Sequence, residues 1–247
     1  MKHKIARFFY PYGAARRVWR GPLRGCQFHV APGFGLTYAF ASSALHLDIL
    51  AQLVDPGMTV LDIGANRGLI SLLLSIHAGR EGKVIAFEPI TELHADFTAN
   101  MQLNRVSNVE LVGAAVSQET GETMMEYAPE KSTQGKIQMA EHELTVAHSG
   151  VIKVRTVALD DYVEAERICP DMIKIDVEGA AGFVLAGAGK VLSQIRPILF
   201  VELHGPDEQV AVDDAIRDYG YRAFDTDGKY IESVVHGWHS PIICRPK

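Results

Sequence analysis

Residues 59–79 read "TVLDIGANRGLISLLLSIHAG". A β-branched, apolar run reaches Asp62, a Gly64-Ala65-Asn66-Arg67-Gly68 turn follows, and a second apolar run begins at Leu69. A strand that enters a helix through a glycine-rich turn puts that turn at the strand's carboxyl end, where open α/β sheets bind their ligands. Within it, Gly64 permits tight backbone geometry, Gly68 lets helix and strand pack closely, and Asn66 suits a helix N-cap. The stretch predicts a doubly wound α/β fold with a ligand crevice at its first strand.

Further along the chain the same alternation repeats. Near-continuous apolar runs at Met58–Ile63, Lys83–Phe87, Val109–Val116, Met172–Ile175 and Ile198–Leu203 predict strands of a parallel sheet covered on both faces. Helical patterns lie between most of them, at Leu69–Ile76, around Leu93, Phe97 and Met101, and at Phe183–Leu192. Residues 121–157 break the rhythm with polar, Gly- and Ser-punctuated sequence, which predicts an inserted hairpin at the rim. The tail from Tyr221, with "DTDGKY" as a turn, predicts an antiparallel edge.

Twenty residues after Gly68 stands Glu88, ending the next strand in "VIAFEP". An acid at that place accepts hydrogen bonds from the paired hydroxyls of an adenosine ribose. The dinucleotide fingerprint, Gly-x-Gly-x-x-Gly, is absent, and the missing middle glycine is the one that lets a pyrophosphate approach the backbone. The turn thus fits an adenosine cofactor without a diphosphate, and S-adenosyl-L-methionine is the natural candidate. A nicotinamide oxidoreductase ranks lower for the same reason.

Composition sets the outer bounds. A chain of 247 residues with 47% hydrophobic and 22% charged residues builds a full core within one α/β domain. Three well-separated cysteines, Cys26, Cys169 and Cys244, suggest reduced thiols rather than a disulfide framework or a zinc site, and with no apolar leader or long apolar span they predict a cytoplasmic protein. Residues 1–47 hold seven Lys and Arg and no acid, so the other 17 basic groups face all 30 acidic ones. Attraction between a basic arm, residues 1–44, and an acidic body, residues 45–247, is the simplest reading. An arm that meets a membrane surface or an anionic substrate group is the other. With a net charge of −6, nucleic acid is not expected as a partner.

Two more strand ends carry chemistry. "KIDVEGA" puts Asp176 and Glu178 at one strand mouth, and "ILFVELHG" puts Glu202 and His204 at another. Together with "VLDIGANRG", "VIAFEP" and "NVELVGAAVS", these stretches occur in the order of the FkbM-type methyltransferases, which the chain resembles over roughly residues 45–205. Arg67 stands where that family more often has an aliphatic residue, and Ala181 where it usually carries another Glu.

The resemblance implies a class I, Rossmann-like, S-adenosylmethionine-dependent methyltransferase, with a mostly parallel seven-stranded sheet, that O-methylates a sugar or natural-product-like small molecule. It assigns Asp62, Gly64, Ala65, Asn66 and Gly68 to the methionine end of the cofactor, Glu88 to its ribose, and the backbone at Ala115 and Val116 to the adenine. Asp176, Glu178, Glu202 and His204 are the catalytic candidates. His204 attracts the role of base because imidazole titrates near neutrality and Glu202, two residues away on the strand, shares its face. Lys174 and Asp176 share a face as well, as a buried ion pair, with the cofactor's ammonium a second partner for Asp176. A divalent metal held by Asp176, Glu202 and His204 is conceivable but not favoured, since no local Asp-x-Asp pair enforces it. The alternative of another class is a non-catalytic cofactor- or partner-binding protein on the same fold.

Overall fold

The computed structural model describes residues 14–29, 46–127, 135–137, 150–235 and 240–247. A short hairpin, β1 (Ala15–Arg17) and β2 (Gln27–His29), precedes α1 (Leu47–Leu53). The opening unit is β3 (Thr59–Ile63), α2 (Leu69–Ala78), β4 (Lys83–Phe87), α3 (Thr91–Leu103) and β5 (Val109–Val112). Four strands follow: β6 (Ala115–Val116), β7 (Gly121–Tyr127), β8 (Gly135–Ile137) and β9 (Gly150–Val157). Next come α4 (Leu159–Glu166), β10 (Met172–Ile175), α5 (Ala181–Ala186), a π-helical turn at Val191–Ile195, β11 (Ile198–Val201) and α6 (Pro206–Asp218). The chain closes with β12 (Tyr221–Phe224), β13 (Tyr230–Ile231) and β14 (Ile242–Pro246).

The main sheet has eight strands in the order β13-β12-β14-β11-β10-β3-β4-β5. The five strands from β11 to β5 are parallel. Their side chains alternate between two cores: Leu61, Ile85, Ile173 and Leu199 join α4, α5 and α6 on one face. Val60, Val84, Met172 and Phe200 join α1, α2 and α3 on the other. With helices on both faces nearly all residues of β3, β4, β10 and β11 are buried, and their runs read as continuous rather than alternating.

The sheet differs from the expected seven strands with an antiparallel edge. Antiparallel β14 is inserted between β11 and β12, and the two-residue β13 makes the margin. Two apolar runs also break. The strand expected over Val109–Val116 stops at Gly113, where a Cβ would meet His94 at 3.0 Å, and its second half, β6, leaves for another sheet. The helix expected over Phe183–Leu192 is interrupted at Gly187, where a Cβ would stand 2.2 Å from the Ser117 carbonyl oxygen.

In the second sheet, β6-β9-β7-β8, the strands β7, β8 and β9 occupy the expected insertion, and the sheet docks through Ile90, Leu93, Ala115, Met125 and Val154. Residues 128–134 and 138–149 of that insertion lie outside the described residues, as do 1–13 and 30–44 of the arm and residue 45. The described hairpin of the arm packs on the body through Val18, Leu23 and Phe28. Asn100 of α3 and Asn104 at the helix's C-cap bind the hairpin backbone. Asn104 accepts from the Gln27 amide (2.8 Å) and donates to the Gln27 carbonyl (2.6 Å), while Asn100 accepts from the His29 amide (2.9 Å).

Candidate functional site

A cavity of about 350 Å³ opens at the carboxyl ends of β3, β4, β10 and β11. Its first wall is the turn between β3 and α2. Gly64 has φ +81, and a Cβ there would lie 1.9 Å from the Asp176 carbonyl oxygen, so the turn touches the end of β10 only because the side chain is missing. The amides of Gly64 and Ala65 both donate to the Phe87 carbonyl (3.0 Å). Asn66 lies in the left-handed region at φ 51. Its amide donates to Glu88 Oε2 (2.8 Å), and its side-chain oxygen accepts from the Arg67 amide (2.9 Å).

Three expectations for this turn are corrected. Asn66 is not the N-cap of α2; Gly68 is, at φ 84. Gly68 does not line the cavity, and the space of its missing Cβ is filled by Phe97 and Met101 of α3, both at 2.8 Å, so it serves helix–helix rather than helix–strand packing. Asp62 does not line the cavity either. It is wholly buried, accepts from the Ser71 hydroxyl (2.6 Å) and faces Lys174 Nζ at 3.2 Å, which leaves it behind the wall as the counter-charge of a lysine. The other ten expected residues, Gly64, Ala65, Asn66, Glu88, Ala115, Val116, Asp176, Glu178, Glu202 and His204, all line the cavity.

Glu88 is held at both oxygens. Oε2 accepts from the Asn66 amide and Oε1 from the Ile90 amide, each at 2.8 Å. Burial raises its pKa above the ordinary carboxylate range, against the two amides. Phe87, Ile90, Ala114, Ala115, Val116 and Met125 supply an apolar wall beside it. Met125 comes from β7 of the second sheet, a contribution that the irregular sequence of the insertion did not signal.

Around the mouths of β10 and β11 the lining turns polar. Lys174 is buried, donates to the Gly64 carbonyl (3.0 Å), and lies 3.2 Å from Asp62 and 3.5 Å from Asp176. Burial alone would lower its pKa; Asp62, Asp176 and Glu202 more than offset that and hold it above the ordinary lysine value. His204 Nε2 lies 2.9 Å from Asp176 and Nδ1 3.6 Å from Glu178. Its hydrogen bond with Asp176 is the main reason its pKa is raised to about 9, with Glu178 and Glu208 adding to the shift and burial opposing it. Burial would raise Asp176, but Lys174 and His204 prevail and depress it.

An imidazole with a pKa of about 9 already carries its proton at neutral pH, which departs from the expectation of His204 as a base poised near neutrality. Its carboxylate neighbours are also Asp176 and Glu178 rather than Glu202. Glu202 is the group that titrates near neutrality. Burial, joined by the charge of Asp176 and opposed by Lys174, raises its pKa to about 7. Among the described residues, no hydrogen bond or ion pair holds its carboxylate.

Glu208 was not anticipated. In the first turn of α6, its buried carboxylate accepts from the His204 amide (2.7 Å) and the Ala181 amide (2.8 Å), so it fixes the His204 backbone and the start of α5 together. A Glu three residues after the Gly205 N-cap was the available signal. Ligand atoms of Asp176, Glu178 and His204 lie within 4.8 Å of one another, a spacing open to a cation, but both ring nitrogens already face carboxylates and ion pairing accounts for the cluster.

The fold is that of a class I S-adenosylmethionine-dependent methyltransferase. A structure of methyltransferase FkbM from Methylobacillus flagellatus KT superposes with a TM-score of 0.52 at 13% identity, over 85% of this chain and 52% of that one. A precorrin-6y C5,15-methyltransferase from Geobacter metallireducens GS-15 gives 0.50 at 14% identity, over 88% and 91%. These likenesses speak for the fold alone. The chain belongs to the FkbM methyltransferase domain family, whose model matches residues 62–223. The 2-O-methyltransferase NoeI of Sinorhizobium fredii is 27% identical over 175 residues, which cover 66% of this chain and 70% of NoeI. Protein-L-isoaspartate O-methyltransferase 1 of Arabidopsis thaliana is 34% identical over 64 residues, and the match covers 26% of this chain and 28% of that protein. Among the described residues no helix is long and apolar enough to cross a membrane.

Proposed function

We propose that this protein transfers the methyl group of S-adenosylmethionine to a hydroxyl of a sugar or natural-product-like small molecule. The observation that carries the reading is one cavity with two unlike ends: Glu88, pinned by two backbone amides beside an apolar wall, and the group Asp176, Glu178, Glu202 and His204. At the first end, the remaining lone pairs of Glu88 receive the ribose hydroxyls, and Ile90, Ala115, Val116 and Met125 enclose the adenine. At the second, charged oxygens suit an acceptor with several hydroxyls. The family and the likeness to a relative named as a 2-O-methyltransferase favour oxygen as the methylated atom.

The bound cofactor supplies an electrophilic methyl on a good leaving group. This chain's part is to align the acceptor oxygen, exclude water and take a proton. Glu202 takes that proton, because its carboxylate is unengaged and half ionised near neutrality, whereas His204 is already protonated. His204 and Lys174 keep Asp176 charged and in place.

Calorimetric titration with S-adenosylhomocysteine tests the cofactor end. Glu88→Gln should weaken binding by roughly 10- to 150-fold, the equivalent of about 1.5–3 kcal/mol for a hydrogen bond to a charged group. Equal affinity in variant and wild type would reject the ribose role, and tighter binding of NAD than of S-adenosylhomocysteine would reject the cofactor class. Transfer of label from S-adenosylmethionine to a panel of glycans and hydroxylated natural products tests the acceptor. Cofactor binding without transfer to any extract fraction of the source organism would favour the non-catalytic reading.

A further inference from the structure

The N-terminal hairpin carries more charge and more apolar surface than its packing uses. Val18, Leu23 and Phe28 face inward and are buried, and β1 and β2 close on each other through bonds from the Val18 amide to the Cys26 carbonyl (2.8 Å) and from the Gly25 amide to the Val18 carbonyl (2.9 Å). Arg17 and Trp19 flank buried Val18 and point the other way. Trp19 is 71% exposed, the largest exposed apolar side chain among the described residues. Arg16, Arg17, Arg20 and Arg24 are exposed as well.

Attraction to the acidic body is the simplest account of this charge, but in the described part of the arm it does not take the form of ion pairs. None of the four arginines makes an ion pair with the body among the described residues, and the side chain of Arg16 donates to its neighbour's carbonyl, Ala15 O, at 3.2 Å. The hairpin is held by apolar side chains and by Asn100 and Asn104 instead. Arg17 and Trp19 thus face away from the body, with Arg20 and Arg24 exposed in the connecting turn, whereas Arg16, paired with buried Phe28 across the hairpin, lies on the body-facing side.

We propose that this hairpin docks the protein on an anionic lipid surface, with the Trp19 indole seated among the headgroups and Arg17, Arg20 and Arg24 on their phosphates. Trp favours the membrane interface because its ring is apolar and its N–H can stay hydrated. Arginine next to it adds attraction to anionic headgroups. A single-stranded nucleic acid is the less fitting partner, because base stacking draws on several aromatic platforms along a groove and Trp19 is the only exposed aromatic of the described hairpin.

The test is flotation of the full-length protein with vesicles of phosphatidylcholine alone or mixed with phosphatidylglycerol. Binding to the anionic vesicles alone, weakening with salt, is expected. Arg17→Gln with Arg20→Gln should lower partitioning by about 30-fold, taking each arginine's contribution near an anionic surface into account. In a Trp238→Phe background, the emission of Trp19 should shift to the blue on binding, and Trp19→Ser should weaken flotation without moving the melting temperature. Failure to float on anionic vesicles overturns the proposal, as does equal binding to both vesicle types. Retention of a single-stranded oligonucleotide but not of vesicles overturns it in favour of a nucleic-acid surface.

Discussion

Replacing Glu202 by Gln separates the two candidate bases, since it keeps the shape of the side chain and removes its capacity to accept the acceptor's proton. The size of the effect follows from the environment. With a pKa of about 7, Glu202 is about half ionised at pH 7 and about one-tenth ionised at pH 6, so the wild-type rate should climb roughly tenfold between pH 6 and pH 8. A solvated Glu, whose ordinary value is 4.5, would give an almost flat profile over the same range. In Glu202→Gln the turnover number should fall by roughly 10²–10⁴, the usual range for loss of a positioned base, and the rising limb should vanish. S-adenosylhomocysteine affinity should stay within about twofold, because Glu88 lies at the other end of the cavity. The assay is initial-rate methyl transfer under saturating cofactor, in buffers of constant ionic strength from pH 5.5 to 9.5. A limb that survives in the variant, or a wild-type rate that is flat across pH 7, refutes the assignment of the base to Glu202.

Two further outcomes rest on the same geometry. Gly64→Ala places a methyl 1.9 Å from the Asp176 carbonyl oxygen at φ +81, so urea unfolding should show a loss of about 1–2 kcal/mol from the backbone conformation alone and more from displacing β10; wild-type stability would mean that the two segments do not meet this closely. Stability should also fall as pH rises from about 5 to 9. The folded pKa of His204 is raised from 6.5 to about 9, so its contribution is complete below 6.5 and is lost as pH rises through 9. Glu202, raised from 4.5 to about 7, holds a proton in the folded state that the unfolded chain gives up earlier, which adds a decline between those values. Melting curves of wild type and His204→Gln check the sign: the variant should lose the upper part of the decline, and a wild-type melting temperature that rises toward pH 9 contradicts the raised values.

The parts of the fold legible in the sequence were those where local pattern and tertiary demand agree. The strands β3, β4, β10 and β11 show themselves as apolar runs because helices cover both faces of the sheet. The position of β14 was not legible, since the pairing of a C-terminal strand between β11 and β12 depends on contacts from distant residues. The breaks at Gly113 and Gly187 were missed for a similar reason: each glycine is required by what approaches it from elsewhere, His94 in one case and the Ser117 carbonyl in the other. In the site, the strand-end acids and Glu88 could be read from position alone. Asp62 could not be separated from them, because an Asp at a strand end reads the same whether it faces a ligand or a buried lysine. The protonation of His204 was hidden too, since it depends on Asp176, 28 residues away in the chain, which folds to within 2.9 Å.

Lys174 ties the two ends of the cavity together. Its ammonium donates to the carbonyl of Gly64 and pairs with Asp62 and Asp176, so the turn after β3 and the acid at the mouth of β10 share one buried charge. Gly64 permits the contact, because any side chain there would drive the Asp176 carbonyl away. In-line methyl transfer depends on sub-ångström placement of donor against acceptor, and a shared anchor gives both halves the same reference point. The charges around that anchor also account for Glu202. Lys174 and protonated His204 face Asp62, Asp176 and Glu178, so the group holds one more carboxylate than cation before Glu202 ionises, and a further negative charge is resisted. A cation entering the cavity relieves that resistance. The rising limb measured for the cofactor-bound enzyme should therefore lie on the acid side of the limb in kcat/KM for the free enzyme. Coincident limbs would show that Glu202 does not sense the charge of the cofactor's sulfonium.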